Sequence, residues 1–420
     1  MPLASLAMTR DVTLVLVDPS GSPLGSLPPF TVEVPWWPEV ADVVAEARSR
    51  WDVDLAVLRV LGTPDRPGPP GGPVVYAAEV TSGAVPGELG PLPAGLDGSL
   101  ASHPLRAPWA RPGGPAGTVA WARAALEAIG RPTIAVGQRK TWNLSAIWEV
   151  RTPAGSAWIK QVPDFFHHEA ALLRWLDTAA PGTSTRLLAD AGGRMVLDHV
   201  PGEDRFGAPV AERDAMAADL HRIQAYAVTR VDELLALGVP DRRAEAAAAG
   251  IAGVADRHGP GLPADVRTRL DALVDDLPAR FASVADCGLP DTLVHGDFHP
   301  GNVRSDGRSR VIIDWGDATV GHPAMDIARL TETLAPAEGA TLVASWAKRW
   351  RGTVPGSDPE RALELLRPVI AALYAVVYAG FLDRIEPSEW PYHSSDVPAY
   401  LRTAVELSGQ SPHSVPPGTR

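Results

Sequence analysis

Hydrophobic spacing at the start of the chain predicts a small α/β unit. Residues 11–18 alternate apolar and polar side chains, as in a strand with one buried face. Residues 38–51 carry apolar side chains at the spacing of an amphipathic helix, and apolar stretches at 55–61 and 73–80 are typical of further strands. We therefore predict an α/β domain over residues 1–85.

A second pattern of strands follows a region crowded with Pro and Gly. This region, residues 86–117, is predicted to be a linker, with a domain boundary near residue 110. Beyond it the pattern predicts a helix, three strands, a second helix and a further strand. In chain order these elements are expected at 118–129, 133–138, 145–151, 157–162, 166–179 and 194–198. Together they predict a small β-rich lobe over residues 118–200.

The rest of the chain is mostly helical in pattern, apart from residues 291–317. Helices are predicted at 209–226, 228–237, 263–285, 325–349, 360–384 and 396–408. We expect residues 201–408 to form a helical lobe and residues 409–420 to form a polar, flexible tail. The predicted fold class is α+β, with the β-rich lobe before the helical one.

Composition narrows the classes of function. A chain of 420 residues with 45% hydrophobic and 21% charged residues is typical of a protein of two or three domains. The net charge of −12 lacks the basic excess that nucleic acid requires, although it suits a cationic ligand. Cys287 is the only cysteine, so an intrachain disulfide is excluded. The opening residues and the lack of a long apolar run predict neither secretion nor membrane insertion, and we expect a cytoplasmic protein.

One segment carries the elements of phosphoryl-transfer chemistry. Residues 293–302 read LVHGDFHPGN, and residues 311–317 read VIIDWGD. Phosphoryl transfer needs a carboxylate that orients the attacking hydroxyl and oxygen ligands for a metal ion that bridges the phosphates. Asp297, Asn302 and Asp314 supply this set, because a spacing of five residues lets one loop present both a carboxylate and an amide. Taken singly, each of these residues could instead cap a turn or end a strand.

These motifs resemble those of the aminoglycoside phosphotransferase family, a branch of the protein-kinase-like fold. The signature HGDxxxxN is present from His295 to Asn302, and the downstream IDW is Ile313–Trp315. The resemblance implies a bilobal enzyme that uses ATP or GTP with Mg²⁺. It implies that Asp297 is the catalytic base or orienting group, that His295 braces its loop, and that Asn302 and Asp314 bind magnesium. It also implies that Asp326 ties the next helix to the catalytic loop.

The β-rich lobe contains a lysine and a glutamate at the places where a kinase needs them. Lys160, one of only three lysines in the chain, lies in the third predicted strand, where it would hold the α and β phosphates. Glu169 lies in the following helix, where it would hold that lysine. The alternative for Lys160 is an edge residue that extends to solvent.

Two further segments are expected to contact the nucleotide. The loop at 138–145 would cover the phosphates; it lacks a GxGxxG motif, so Asn143 and Ser145 are the candidates there. The segment around Asp198 and Val200 resembles the family's hinge, where backbone groups would hydrogen-bond the base.

The first domain weakly resembles a Nudix domain. Placed on residues 45–53, the Nudix box keeps Glu46, but its paired metal-binding glutamates are replaced by Ser49 and Arg50. A diphosphate hydrolase needs those carboxylates, so we interpret this domain as a scaffold or lid.

The acceptor is expected to be a small molecule. Only eleven residues separate Asp314 from Asp326, which leaves no room for the activation segment that presents a peptide. Acidic and aromatic residues at 378–400 could line a wall for a polyamine or amino sugar, although an ordinary amphipathic helix and loop would explain them equally. The candidates are Asp383, Glu386, Glu389, Trp390 and Tyr392.

Three functions remain open from the sequence. The first is a phosphotransferase acting on an aminoglycoside or another antibiotic or natural product. The second is a metabolic kinase for a sugar, amino sugar or amino alcohol. The third is a catalytically idle nucleotide-binding module, which the presence of the complete residue set disfavours. The sequence does not indicate the oligomeric state.

Overall fold

The computed structural model describes residues 9–63, 68–82, 87, 89–96 and 100–409. The chain divides into two compact units. Unit 1 comprises Met1–Phe165, Leu187–His199 and Phe381–Ser395, and unit 2 comprises Phe166–Arg186, Val200–Gly380 and Asp396–Arg420. The predicted boundary near residue 110 therefore falls inside unit 1, and a segment from the predicted helical lobe also belongs to unit 1. The predicted tail lies outside the described residues apart from Gly409.

The first sheet of unit 1 contains the predicted strands and two short ones that the pattern did not reveal. Its elements are β1 (Arg10–Val17), β2 (Pro23–Ser26), β3 (Phe30–Val32), helix α1 (Ala41–Trp51), β4 (Asp54–Gly62) and β5 (Gly72–Ser82). The order is β2-β1-β5-β4, with β3 also paired to β1 and only β1 and β5 parallel. Leu14 and Leu16 pack with Trp37 and Tyr76 on one face, whereas Val15 packs on the other. Alternate side chains of β1 thus serve two cores.

The second sheet of unit 1 is antiparallel throughout. Its elements are α2 (Gly114–Ala128), β6 (Ala135–Thr141), β7 (Ala146–Thr152), β8 (Gly155–Gln161), β9 (Leu187–Ala191) and β10 (Arg194–Asp198). The strand order is β6-β7-β8-β10-β9. Trp109, from the predicted linker, is 1% exposed and packs with Trp148 and Ile159. The C-terminal part of the predicted linker is therefore part of this core.

The side chain of Gln138 joins the two sheets within unit 1. Val57 lies on β4, the edge strand of the first sheet, at the point where the pairing with β5 shifts before Arg59. The Gln138 side chain of β6 accepts from the Val57 N–H at 2.9 Å and donates to its carbonyl at 2.7 Å. An amide side chain carries the same donor and acceptor as a peptide group, so it satisfies both buried backbone groups.

Unit 2 is mostly helical, with short strands around the predicted chemical segment. Its helices are α3 (His168–Ala179), α4 (Val210–Ala227), α5 (Val231–Ala236), α6 (Ala244–His258), α7 (Ala264–Ala285), α8 (Ala324–Thr331), α9 (Pro336–Thr353), α10 (Pro359–Leu382) and α11 (Asp396–Ser408). Its strands are β11 (Glu203–Asp204), β12 (Thr292–Val294), β13 (Val303–Ser305), β14 (Arg310–Ile312) and β15 (Thr319–Gly321). The alanine-rich helix α6 was not predicted. The helix predicted at 325–349 is two helices, because Pro336 begins a new one.

Helix α10 is more apolar than we expected of any segment. Among the described residues it is the one helix long and apolar enough to cross a membrane, with a mean hydropathy of 1.8 over its best window. Of that window, 56% is buried inside the protein. A buried core helix meets the same criterion of length and composition, so the helix is weak evidence for a membrane span.

Two adjacent tryptophans test the core of unit 1. Trp37 is fully buried and donates from Nε1 to the Gly71 carbonyl at 3.0 Å, whereas Trp36 is 55% exposed. We expect Trp37→Ala to lower the free energy of unfolding by about 3–5 kcal/mol. The control Trp36→Ala removes the same side chain and should change it by less than about 0.5 kcal/mol. Urea denaturation followed by circular dichroism measures both, and equal losses would contradict the assigned core.

Candidate active site

Residues 292–321 form a loop and a hairpin whose ends are joined. Strand β12 pairs antiparallel with β15, so the segment begins and ends at the same place. Between them, β13 and β14 form a hairpin in which Val303 lies opposite Ile312. The ladder is extended by the Ile313 N–H, which donates to the Asn302 carbonyl at 2.9 Å. This register places the backbone of Asp314 directly after the residue bonded to Asn302, and a metal ion shared by their side chains stays a prediction.

The carboxylate of Asp297 is held by three donors. Oδ1 accepts from Arg329 Nε at 2.8 Å, and Oδ2 accepts from Asn302 Nδ2 at 3.3 Å. His299 Nε2 lies 3.4 Å from Oδ2. Burial alone would raise the pKa of Asp297, but the hydrogen bond from His299 and the charge of Arg329 hold it well below its usual range. The side chain is 34% exposed, and two carboxylate oxygens offer about four acceptor positions, so one stays available to a hydroxyl.

Asn302 and Asp314 have the chemistry of magnesium ligands. Asn302 directs its amide nitrogen to the Asp297 carbonyl at 2.9 Å, which leaves its amide oxygen as the group that could bind a metal. Asp314 is exposed and adopts a left-handed backbone conformation, with φ of 62°, which is uncommon outside glycine and typical of functional sites. Two protein oxygens suit Mg²⁺, which keeps waters and takes phosphate oxygens as its other ligands. Among the described residues no group of three or more His, Cys, Asp or Glu could hold a metal ion.

Asp326, at the start of α8, holds the loop through hydrogen bonds to the backbone of His295 and Gly296. Its Oδ2 accepts from the backbone N–H of His295 and from Gln224 Nε2, both at 2.9 Å, and its Oδ1 accepts from the Gly296 N–H at 3.1 Å. Burial raises the pKa of Asp326 to about 7, against the effect of these three donors. The geometry is the tie between helix and loop that the family resemblance implied.

His295 braces the hairpin rather than facing solvent. Its ring is fully buried against Trp315, and its Nε2 lies 3.0 Å from the Ile313 carbonyl. Burial lowers the pKa of His295, so the neutral ring donates from Nε2 to that carbonyl. His295 therefore positions the residue before Asp314, which is a supporting role.

Lys160 and Glu169 lie on the predicted elements, one in each unit. Lys160 in β8 is 8% exposed and lies opposite Ile147 and Met195 in the sheet of unit 1. Glu169 in the first turn of α3 is 1% exposed. A Cβ placed on Gly316 would be 3.6 Å from Glu169 Oε2, so this carboxylate lies near the turn after Asp314 in unit 2. The ion pair between Lys160 and Glu169 stays a prediction.

The other predicted nucleotide contacts have internal partners. Asn143 is 2% exposed and donates from Nδ2 to the Glu389 carbonyl, and Ser145 Oγ accepts from Trp142 Nε1 at 3.0 Å. Asp198 pairs with Arg131 at 2.9 Å in unit 1. The Val200 carbonyl accepts from Arg304 Nε at 3.2 Å in unit 2.

The predicted acceptor wall needs a correction, because most of its residues are committed to the interior of unit 1. Glu386 is 3% exposed and pairs with both Arg59 and Arg106, at 3.2 and 2.9 Å. Glu389 is 2% exposed, and burial together with Glu386 raises its pKa to about 8. Tyr392 packs edge-on against Trp37. Of the five candidates, only Asp383 and Trp390 are exposed.

Sequence reasoning missed Arg329 and Tyr374 of this site, and it included Tyr400 in the predicted wall at 378–400 without naming it as a candidate. Tyr374 Oη donates to the Gly296 carbonyl at 3.3 Å, and its ring contacts Tyr400 at a centroid distance of 5.2 Å. Arg329 lies three residues after Asp326 on α8. That spacing, which places both side chains on one helix face, was the available signal. For the two tyrosines there was no local signal, since α10 and α11 are distant in sequence.

This geometry, a carboxylate oriented beside an amide and a second carboxylate on a short hairpin, is that of a small-molecule kinase, an enzyme that transfers a phosphoryl group to a hydroxyl. Residues 143–365, more than half of the chain, match the model of the phosphotransferase enzyme family (APH). The chain belongs to this family. The resemblance seen in the sequence is thereby confirmed, whereas the likeness of the first domain to Nudix proteins stays unconfirmed. A search of curated proteins found no match.

Solved structures of small-molecule kinases are similar in fold. Choline kinase LicA from Streptococcus pneumoniae is 13% identical with a TM-score of 0.50, and the match covers 69% of this chain and 99% of LicA. Macrolide 2'-phosphotransferase MphH from Brachybacterium faecium is 16% identical with a TM-score of 0.47, and the match covers 71% of this chain and 99% of MphH. An ethanolamine kinase from Plasmodium vivax is 11% identical with a TM-score of 0.49, and the match covers 65% of this chain and 82% of that kinase. The predicted α+β protein-kinase-like fold is confirmed.

Two glycines with the same backbone conformation test the loop. Gly296 and Gly307 have φ of 86° and 85°, but a Cβ on Gly296 would lie 2.1 Å from the Asp317 carbonyl oxygen, whereas nothing lies within 4 Å at Gly307. We expect Gly307→Ala to cost about 1–2 kcal/mol of stability with little loss of transfer. Gly296→Ala should destabilise more and remove most transfer. Thermal unfolding and turnover measure both, and equal effects would refute the close packing of this loop.

Proposed function

We propose that this protein is a magnesium-dependent kinase that transfers the γ-phosphate of ATP or GTP to a hydroxyl of a small molecule. The observation that supports this most directly is the carboxylate of Asp297, fixed by Arg329 and Asn302 on the loop whose hairpin leads to Asp314. Asp297 would accept the hydrogen bond of the acceptor hydroxyl and orient its oxygen toward the phosphorus. Because its pKa lies well below the usual range, its main task would be orientation, with complete proton removal coming late in the transfer.

The nucleotide would be held by residues named from the family resemblance. Asn302 and Asp314 would bind Mg²⁺, which when bound neutralises charge on the phosphates. Lys160 would hold the α and β phosphates, with Glu169 orienting it. Backbone groups near Asp198 and Val200 would bind the base. The protein is expected to act in the cytoplasm.

We propose that the acceptor is cationic and that it lies against α8, α10 and α11 of unit 2. Tyr400 contacts Tyr374 and stacks on Tyr378 at 5.5 Å. Burial raises the pKa of Tyr400, as do the nearby carboxylates of Glu332 and Asp396. Arg329 does not oppose a cation here, because it forms ion pairs with both Asp297 and Glu332. Aromatic rings with carboxylates close by suit an amine or ammonium group.

An amino sugar of an antibiotic and an amino alcohol of metabolism both fit this description. LicA is a choline kinase and MphH is a macrolide phosphotransferase by name. Such likeness in fold does not choose between them. We retain the antibiotic or natural-product acceptor as the first candidate, with the metabolic amine-bearing alcohol as the second. Mass spectrometry of products from a panel of aminoglycosides, macrolides, amino sugars and amino alcohols, incubated with ATP or GTP and Mg²⁺, tests the proposal.

Substitutions of the two aspartates should separate chemistry from metal binding. We expect Asp297→Ala to lower kcat by about 10²–10⁴-fold with nearly unchanged affinity for Mg·ATP, because Asp297 would contact the acceptor. Asp314→Ala should instead weaken binding of Mg·ATP itself. Steady-state kinetics and calorimetry measure the two effects. Wild-type turnover in Asp297→Ala would show that the mechanism is wrong.

Asp396→Asn tests the charge of the acceptor. Removing this carboxylate should raise KM several-fold for a cationic acceptor, by roughly the 1–3 kcal/mol typical of a charged contact, and leave KM for ATP unchanged. Asp177→Asn is the matched control, because Asp177 is exposed on α3, a helix outside the proposed acceptor face. If both variants raise KM equally, the effect comes from the general field of the protein.

A further inference from the structure

The segment Phe381–Ser395 leaves helix α10 and enters unit 1 before the chain continues into α11. It connects two helices of unit 2, yet its side chains supply buried parts of unit 1. Glu386, Glu389, Tyr392 and His393 are each less than a tenth exposed. Such burial of a connecting segment is unusual, because loops normally run over the surface. We call this segment the brace.

Arg59 of the N-terminal domain, residues 1–85, and Arg106 of the predicted linker hold one end of the brace by charge. Glu386 accepts from Arg106 Nε at 3.1 Å and from Arg106 Nη2 at 2.9 Å, and Arg59 of β4 lies 3.2 Å away. All three side chains are at least 93% buried. Removal of one partner from such a group leaves uncompensated charge in the interior, so this contact strongly disfavours any other position of the brace.

The other end of the brace contacts the loop between β6 and β7. Asn143 Nδ2 donates to the Glu389 carbonyl at 3.4 Å, and Asn143 Oδ1 lies 3.0 Å from His393 Nε2. Because the amide nitrogen of Asn143 is used on Glu389, its oxygen accepts, and His393 must donate. The rings of His393 and Tyr392 also pack against Trp142, at 5.7 and 5.8 Å between centroids.

The loop itself is closed by its own side chains. Trp142 donates from Nε1 to Ser145 Oγ and from its backbone N–H to the Ser145 carbonyl, both at 3.0 Å, while its own carbonyl accepts from Trp109 Nε1. Asn143 and Ser145 therefore use their side chains inside unit 1. The backbone of this loop could still bind a phosphate. Its residue Asn143 is held by Glu389 and His393 of the brace.

We propose that His393 is a positioning residue for the nucleotide, and that the N-terminal domain acts on the reaction by holding the brace that carries it. The inference rests on the proposed function together with the expectation that the phosphates are covered by the loop predicted at 138–145, of which residues 142–145 connect β6 and β7. The N-terminal domain is thus a structural clamp for the phosphate loop, and the enzyme needs no chemistry from it. His393 fixes Asn143, and Arg59 and Arg106 fix the segment that carries His393.

The test compares His393→Phe with wild type in the full chain. Phenylalanine keeps a ring against Trp142 and removes the hydrogen bond to Asn143. We expect the Kd for Mg·ATP, measured by calorimetry, to rise about tenfold, as for a buried polar group that loses its partner, with KM for the acceptor unchanged. His393→Gln can still donate to Asn143 and should restore most of the affinity. Amide hydrogen exchange at residues 141–146 should be faster in His393→Phe.

A second variant and a control separate positioning from loss of stability. Glu386→Gln should also raise the Kd for Mg·ATP, because it weakens the hold of the N-terminal domain on the brace. Val75→Ala removes a buried side chain from the core on the other face of the first sheet and should leave this Kd unchanged. An equal rise in Val75→Ala, or unchanged exchange at 141–146 in His393→Phe, would overturn the inference. If wild type binds no Mg·ATP, the proposed function fails, and the exchange measurement still decides whether the brace holds the loop.

Discussion

The buried carboxylate of Asp326 is the contact on which the site depends. It receives the backbone N–H groups of His295 and Gly296 together with the amide of Gln224, and so fixes the point where β12 ends and the loop turns. Both carboxylate oxygens of Asp326 accept hydrogen bonds from N–H groups. An asparagine at this position would replace one of these oxygens with an NH₂ group, which would then face an N–H donor. The loop could not then keep both backbone contacts. The positions of Asp297 and of the hairpin that follows depend on these backbone contacts of His295 and Gly296.

The loop divides its tasks among groups of different kinds. Buried, neutral His295 holds the strand that leads to Asp314, while charged Arg329 and polar Asn302 and His299 fix the carboxylate of Asp297. A carboxylate restricted by three donors has little freedom to rotate, and an oriented group lowers the entropy cost of reaching a reactive geometry. The left-handed residue Asp314 adds a conformation that the neighbouring hairpin must maintain. The site is therefore preorganised in unit 2 by contacts made within that unit.

Unit 1 shows a different use of buried charge. The ion pairs of Glu386 with Arg59 and Arg106 do not face a ligand; they join a sheet near the start of the chain to a segment near its end. Buried pairs of this kind contribute little net stability, but they penalise incorrect packing heavily. Gln138 acts similarly at the edge strand β4, where one side chain fills both hydrogen-bonding positions of a peptide group. The N-terminal domain and the second sheet are thus fitted to each other by polar contacts that tolerate few alternatives.

Local signals were sufficient to predict the elements that one stretch of the chain forms alone. The residues of HGDxxxxN and IDW lie within one loop and one hairpin, so their spacing was enough to name Asp297, Asn302 and Asp314 as one candidate site. Periodicity likewise predicted β1, α1 and most helices of unit 2, but it missed the short strands β2 and β3 and the alanine-rich helix α6. The position of the segment after α10 depends instead on contacts with residues far away in the chain. Its acidic and aromatic residues were compatible with a ligand wall or a core, and the choice was made by Arg106, 280 residues away from Glu386, and by Trp37. The same is true of Tyr374 and Tyr400 beside the catalytic loop, because packing between distant segments leaves no periodic trace in either one.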